Sequence, residues 1–281
     1  EDALAQQIPL VFEDSERYRD WANAGPRRIQ QDFNWEVYLQ NLLKFGQISA
    51  LKVSVIVPNY NYAQYLPERL KSIFDQTYLP FEVVVLDDCS TDESLSVLRD
   101  LKHKNGYDFR VIQNEQNSGS VFKQWLKGLQ AVKGDLVWFA EADDLCAPEF
   151  LARLVEKFFD PEIVMAYCES KQIDENGRVI AENYLNYVAD IDGKKWQSSY
   201  LREGRAELVD SLSIKNTIPN VSAVLFRRSV LLTVLKENFD FIMEFNFAGD
   251  YAVYMHVLNE GKLFFDAVAH NCHRRHQNGL T

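Results

Sequence analysis

The chain has 281 residues, 47% hydrophobic and 25% charged, with a formal net charge of −11, which suits one large globular domain with an appendage. Its pI near 5.0 argues against a nucleic-acid-binding face, which would need a basic surface. No apolar run approaches the ~20 residues that span a bilayer.

The first fifty residues stand apart. "PRRIQQDFNWEVYLQNLLKFG" predicts a helix from about Trp35 to Phe45 that stops at Gly46. Residues 1–50 are therefore read as a helical appendage or the end of an upstream domain. The acidic, polar start carries no evident secretory signal. It also lacks an initiator Met, as expected of a processed chain or a piece of a larger multidomain one. Cys89, Cys146, Cys168 and Cys272 are far apart and form no CxxC pair, so they read as reduced thiols of a cytoplasmic protein.

From Val53 to about Ile173 apolar runs alternate with amphipathic stretches. The runs are Val53–Val57, Phe81–Leu86, Phe109–Ile112, Leu136–Phe139 and Ile163–Cys168. Between them "YLPERLKSIFDQ", "DESLSVLRDLKH", "VFKQWLKGLQAV" and "PEFLARLVEKFF" place apolar residues at helical spacing. This alternation predicts an α/β fold, a mainly parallel twisted sheet flanked by helices. Beyond Ile173, "IDENGRVI" predicts a hairpin about Asn176-Gly177. "VSAVLFRR" predicts a strand, and "RSVLLTVLKEN" and "DYAVYMHVLNEG" predict helices, the last ending at Gly261.

Ligands bind such sheets beyond the carboxyl ends of the strands. Acids gather there: Asp87 and Asp88 in "VVVLDDCSTD", then Glu141, Asp143 and Asp144 in "VWFAEADDLCAP", and Asp250 in "FAGDYAVYMHV". One acid would suffice to cap a helix entered through Pro148; three need another reason. No GxGxxG follows Val57, so a dinucleotide fingerprint is missing. The first strand runs instead into "PNYN", which also disfavours a nucleotidyltransferase with a basic, Gly-rich phosphate loop.

"VSVIVPNYNYAQYLPERLKSIFDQTYLPFEVVVLDDCSTDES" followed by "NSGSVFKQWLKGLQAVKGDLVWFAEADD" resembles the family-2 glycosyltransferases of the GT-A fold. "AGDYAVYMHVLNEGKLFF" resembles a later element of that family. The resemblance implies that residues 51–281 are a GT-A domain. Residues 51–172 would be its Rossmann-like, nucleotide-sugar-binding half and 173–281 its acceptor-binding half. It implies an inverting transfer of a hexosyl or deoxyhexosyl group from a nucleotide-diphospho-sugar, UDP- or dTDP-linked, to a glycan or lipid-linked glycan. Polysaccharide biosynthesis at the inner face of a membrane, with peripheral association, is the expected setting.

Residue by residue, the resemblance implies that Pro58, Asn59 and Tyr60 lie against base and ribose, and that Asp87 or Asp88 accepts the imide N–H. Asp92 would cap the next helix. The family's Asp-x-Asp is here Glu141-Ala142-Asp143. Asp143 is the expected ligand of Mg²⁺ or Mn²⁺, hard cations that take oxygen ligands and bridge to the diphosphate. Glu141 would face the ribose or a metal-bound water, and Asp144 would cap a helix or enter the site. His276 is the best match to a late metal-binding His, His273 the second, with Arg274 and Arg275 available to neutralise phosphate. Gly119 and Ser120 open a helix whose N-terminus could face phosphate, with Lys123 in reach; Val121, Phe122 and Trp125 read as helix core.

Where the family has an acidic pair, this chain has Gly249-Asp250, so Asp250 alone is the expected base, held ionised by its helix N-terminus. A nucleotide-sugar-binding module without catalysis is the alternative, and Asp250 discriminates, since a pure binder needs no base.

Overall fold

The computed structural model describes residues 50–245 and 248–276; the expected helix Trp35–Phe45 lies outside them. The apolar run after Lys52 becomes strand β1 (Val53–Asn59), buried along its whole length. Helix α1 (Leu66–Phe74) carries a proline in its first turn, where the missing N–H costs nothing. Strand β2 (Glu82–Asp87), helix α2 (Ser94–Asn105), strand β3 (Arg110–Gln113), helix α3 (Val121–Ala131) and strand β4 (Leu136–Phe139) follow. Pairing is parallel for β1 with β2, β2 with β3 and β1 with β4.

A short strand β5 (Leu145–Cys146), helix α4 (Phe150–Val155) and the long strand β6 (Ile163–Ile173) come next. The hairpin about Asn176-Gly177 joins β6 to β7 (Val179–Ala181). Gly177 has φ of +80°, a left-handed geometry that glycine adopts freely. Strands β8 (Tyr200–Glu203) and β9 (Val224–Arg227), helices α5 (Arg228–Glu237) and α6 (Gly249–Leu258), and strand β10 (Lys262–Arg274) follow, with short helical turns between them. Helix α6 stops at Leu258, short of Gly261.

The sheet order is β3-β2-β1-β4-β9-β6-β10-β5. The parallel arrangement expected from the alternation holds over β3, β2, β1 and β4. Beyond them the sheet is mixed, because β9 enters antiparallel to both β4 and β6. The inserted strand comes from the half expected to bind acceptor, so the two halves read from the sequence share one sheet.

Side chains alternate across a strand, and the core divides accordingly. Ile56 joins Trp125, Phe139, Leu231 and Val253 on the face covered by α3, α5 and α6. Val53, Val55 and Val57 join Leu66, Leu98, Trp138 and Phe150 on the face covered by α1, α2 and α4. Each such large side chain contributes roughly 1.5–3 kcal/mol by burial. Among the described residues no helix is long and apolar enough to cross a membrane.

This topology positions the site. β1, β2, β3 and β4 run one way, and two antiparallel steps through β9 bring β6 and its parallel partner β10 into the same direction. Asn59, Asp87, the segment after Phe139, Ile173 and Arg274 therefore emerge at one edge.

Candidate active site

The register pairs Asn59 with Asp87, and their side chains meet. Asn59 Nδ2 donates to Asp87 Oδ1 at 2.8 Å, and the Ser90 amide donates to Oδ2 at 3.1 Å. Asp87 is wholly buried and ties two strand ends together beneath the surface. It does not line the site, contrary to one branch of the sequence expectation. Asp88 does. A pocket of about 360 Å³ is lined by Pro58, Asn59, Tyr60, Tyr62, Asp88, Asn117, Gly119, Ser120, Val121 and Gln124. Asp88 Oδ1 accepts from Asn114, the Ser118 amide and Gln124, while Oδ2 accepts from Ser118 Oγ at 2.7 Å. Oδ2 therefore retains capacity for a further donor.

Asp92 accepts the Ala63 and Ser94 amides, each at 2.9 Å. It thus serves the start of α2 as expected and also pins the loop after "PNYN". Gly119 adopts φ of +68° and lines the pocket. Lys123, exposed, donates to the Ser118 carbonyl at 3.1 Å, so its ammonium serves the loop before its own helix. Phe122 and Trp125 are core as expected, but Val121 is 37% exposed and forms pocket wall.

Beyond β4, the Glu141 amide donates to Ser222 Oγ at 3.1 Å, an anchor supplied from just before β9. Burial pushes the Glu141 carboxyl up to about 8, with Asp143 and then Asp144 adding to the effect. Asp143 is raised by burial and by Asp144, and His276 partly offsets this. Buried like charges favour the protonated form, and a cation would relieve them. Asp144 neither caps a helix nor faces the pocket. It accepts from Asn220 Nδ2 at 2.9 Å and from the Arg274 amide at 2.7 Å, joining the loop after β4 to the end of β10.

The expected pair of metal ligands does come together. His276 Nε2 lies 2.6 Å from Asp143 Oδ2, two residues past β10. The His276 ring packs near Tyr62 and Tyr65, with centroids at 6.2 and 5.8 Å. Arg274 donates through Nε to the Asp143 carbonyl at 2.6 Å and through Nη1 to the Asp174 and Glu175 carbonyls. Its guanidinium, buried over the Tyr65 ring, clamps the loop and is not available to phosphate. His273 Nδ1 lies 2.6 Å from the Tyr184 hydroxyl, a contact that orients its ring.

Among the described residues no group of three or more His, Cys, Asp or Glu gathers around one point. One carboxylate and one imidazole at a shared point, beside a crowded acidic loop, fit a hard cation completed by substrate oxygens and water.

Asp250 sits one residue inside α6, where its Oδ1 accepts the Tyr251 amide at 2.8 Å. The helix-terminus argument gives the wrong sign here. Burial outweighs it and pushes the carboxyl up to about 6. A Cβ on Gly249 would stand 2.4 Å from the Phe122 ring, so packing against α3 leaves no room for a second acid. The buried Tyr254 phenol, raised first by burial, is raised further by both Asp250 and Glu141.

Sequence reasoning missed Tyr62, Asn117 and Gln124 on the pocket, Ser118 as a partner of Asp88, and Asn220 and Ser222 behind the acidic loop. The second aromatic in "NYNYAQY" was the available signal for Tyr62; polar residues in loops gave none for the others.

Known proteins resemble this chain in sequence and in fold. An uncharacterized glycosyltransferase of Nostoc sp. is 32% identical over 182 residues, 64% of this chain and 52% of that protein. The poly(ribitol-phosphate) beta-N-acetylglucosaminyltransferase TarS of Staphylococcus aureus is 41% identical over 103 residues, 36% of this chain but 18% of its own length. The chain thus spans about half or less of these curated relatives. The crystal structure of S. aureus TarS 1–349 in complex with UDP-GlcNAc matches with a TM-score of 0.60 at 26% identity, over 82% of this chain and 60% of that one. The fold is that of the GT-A glycosyltransferases. The family profile described as glycosyl transferase family 2 matches residues 54–235, and the chain belongs to that family.

Proposed function

We propose that this protein transfers a sugar, with inversion, from a nucleotide-diphospho-sugar to a hydroxyl of a glycan or lipid-linked glycan. The observation that carries the reading is the meeting of Asp143 and His276, 133 residues apart in sequence, at the strand edge that also holds the pocket of Asp88. UDP is the favoured nucleotide, with dTDP close behind: TarS is a relative whose structure holds UDP-GlcNAc. A putative teichuronic acid biosynthesis glycosyltransferase of Bacillus subtilis, 28% identical over 125 residues, supports a cell-surface polysaccharide as the acceptor class.

Pro58 and Tyr60 provide apolar faces for the base, and Asp88 Oδ2 accepts its N–H. Asp143 and His276 would hold Mg²⁺ or Mn²⁺, which when bound neutralises charge on the diphosphate leaving group. Arg274 keeps the Asp143 loop in place. Asp250, with a carboxyl near 6, is ionised at neutral pH yet basic enough to take the acceptor hydroxyl's proton as its oxygen attacks the anomeric carbon. A binding-only module would gain nothing from a carboxylate buried at this cost, which favours transfer.

Calorimetric titration of UDP, dTDP and their sugar conjugates with and without Mn²⁺, followed by product analysis with glycan acceptors, tests the proposal. Donor binding without transfer to any acceptor, and without slow donor hydrolysis, would favour the binding-only module.

A further inference from the structure

Tyr65, Arg69, Ser72 and Gln76 recur at helical spacing, so α1 and its flanks turn one face toward the acidic loop. The Tyr65 ring centre lies 4.6 Å from the Arg274 guanidinium and 5.8 Å from that of His276. The Ser72 carbonyl accepts from Cys146 Sγ at 3.4 Å, and Gln76 Nε2 donates to the Ala147 carbonyl at 2.8 Å. Arg69 lies between these contacts, wholly buried, with its guanidinium 4.7 Å from the centre of the Trp138 ring. Trp138 precedes the loop on β4 and Cys146 closes it on β5, so the guanidinium sits at the base of the segment carrying Glu141, Asp143 and Asp144. Burial raises the Glu141 carboxyl and the Cys146 and Cys272 thiols, and the Arg69 charge pulls each of them back. Its Nε, Nη1 and Nη2 find no carboxylate, carbonyl or hydroxyl partner among the described residues. The Cys146 thiol beside it is a weak acceptor. Buried charges are ordinarily paired, and stability alone is often served as well by an apolar side chain of similar size.

We propose that Arg69 is a positioning residue that sets the order of uptake at this site, a fixed positive charge built into the base of the acidic loop. It offsets part of the loop's negative charge and repels a divalent cation that arrives alone. It attracts a diphosphate, whose own charge then offsets the repulsion. The bare cation is therefore held loosely, and cation and nucleotide diphosphate enter chiefly together. Because the guanidinium has no carboxylate of its own, its field is not cancelled locally and acts across the loop. The inference rests on the reading of Asp143 and His276 as the cation site.

The test measures two affinities on the full chain: Mn²⁺ alone, from the electron paramagnetic resonance of the free ion, and UDP at saturating Mn²⁺, by calorimetry. Arg69→Met keeps most of the side chain's length and removes its charge. Mn²⁺ alone should then bind roughly 10-fold tighter, and UDP roughly 3–10-fold more weakly, the scale of one unit charge acting through protein. Damage to the loop would weaken both, so the opposite signs separate a charge effect from a structural one. Arg69→Lys keeps the charge and should leave both affinities near wild type. Arg69→Gln, polar and uncharged, carries the same expectations as Arg69→Met and replaces it if that variant does not fold. Adding Asp143→Ala should abolish the gain in Mn²⁺ affinity. Mn²⁺ binding that is unchanged or weaker without the charge overturns the proposal. So does a gain that Arg69→Lys reproduces or that survives Asp143→Ala. If the wild type binds no Mn²⁺ with or without UDP, the cation-site reading itself fails and the proposal with it.

Discussion

Replacing Asp250 by asparagine should stabilise the protein at neutral pH while removing its chemistry. Burial lifts this carboxyl from 3.8 to about 6, and each pH unit of displacement corresponds to about 1.4 kcal/mol. Holding the ionised form in the fold therefore costs up to about 3 kcal/mol, an upper figure because the side chain is not fully shielded. The raised value means that the folded state keeps the proton longer than the unfolded chain does. The cost is absent below the ordinary value of 3.8, grows as pH rises toward 6 and is complete above it. Asparagine carries no charge and still offers an oxygen to the Tyr251 amide. The variant's advantage should thus be small near pH 4 and reach about 2–3 kcal/mol near pH 7.5. Urea denaturation of both proteins across that range measures it. On the same preparations transfer should fall by about 10²–10⁴-fold, and the wild-type rate should itself decline below about pH 6 as the base takes up its proton. A stability difference that does not change with pH would refute the buried-carboxylate argument, and near-normal turnover would remove Asp250 as the base.

Asp143→Ala should abolish the thermal stabilisation that UDP or dTDP gives in the presence of Mn²⁺ while leaving the fold intact; persistence of the metal-dependent part would show that the ion is held elsewhere. Asp88→Asn should weaken nucleotide binding by about 1–3 kcal/mol with little effect on stability. Asp87→Asn should do the reverse, costing about 1–3 kcal/mol of stability because its new NH₂ faces that of Asn59. Paired calorimetry and denaturation separate the two, and matching behaviour would undo the division of roles. Arg274→Met should cost about 2–3 kcal/mol through the three carbonyls it releases and should weaken Mn²⁺-dependent nucleotide binding, read by titration; unaltered metal dependence would show that the Asp143 loop holds itself.

The strand ends and the acids on them were legible because apolar periodicity locates buried strands and an α/β sheet binds ligands at one edge. Asp143 and His276 followed from resemblance, and their contact follows from topology. Periodicity did not show that β9 would slip between β4 and β6, since local pattern carries no pairing order. The division of labour between Asp87 and Asp88 was equally hidden: adjacent and chemically identical, they differ only in which neighbours reach them. Asp250 shows a competition of magnitudes. A helix terminus lowers a carboxyl modestly, burial raises it more, and the sequence reveals the first but not the second.

The placement of His276 beyond β10 has a consequence for biosynthesis. The base pocket is built from residues 58–124, yet the partner of Asp143 arrives only after β10 has paired with β6, joining Lys262 to Ile163 across the sheet. Such long-range pairing closes late and slowly. On the ribosome, the growing chain would hold the residues of the Asp88 pocket well before His276 could reach Asp143. With Asp143 and His276 in their proposed role, competence for transfer would arise with the docking of β10, so that a partly folded chain would not consume donor.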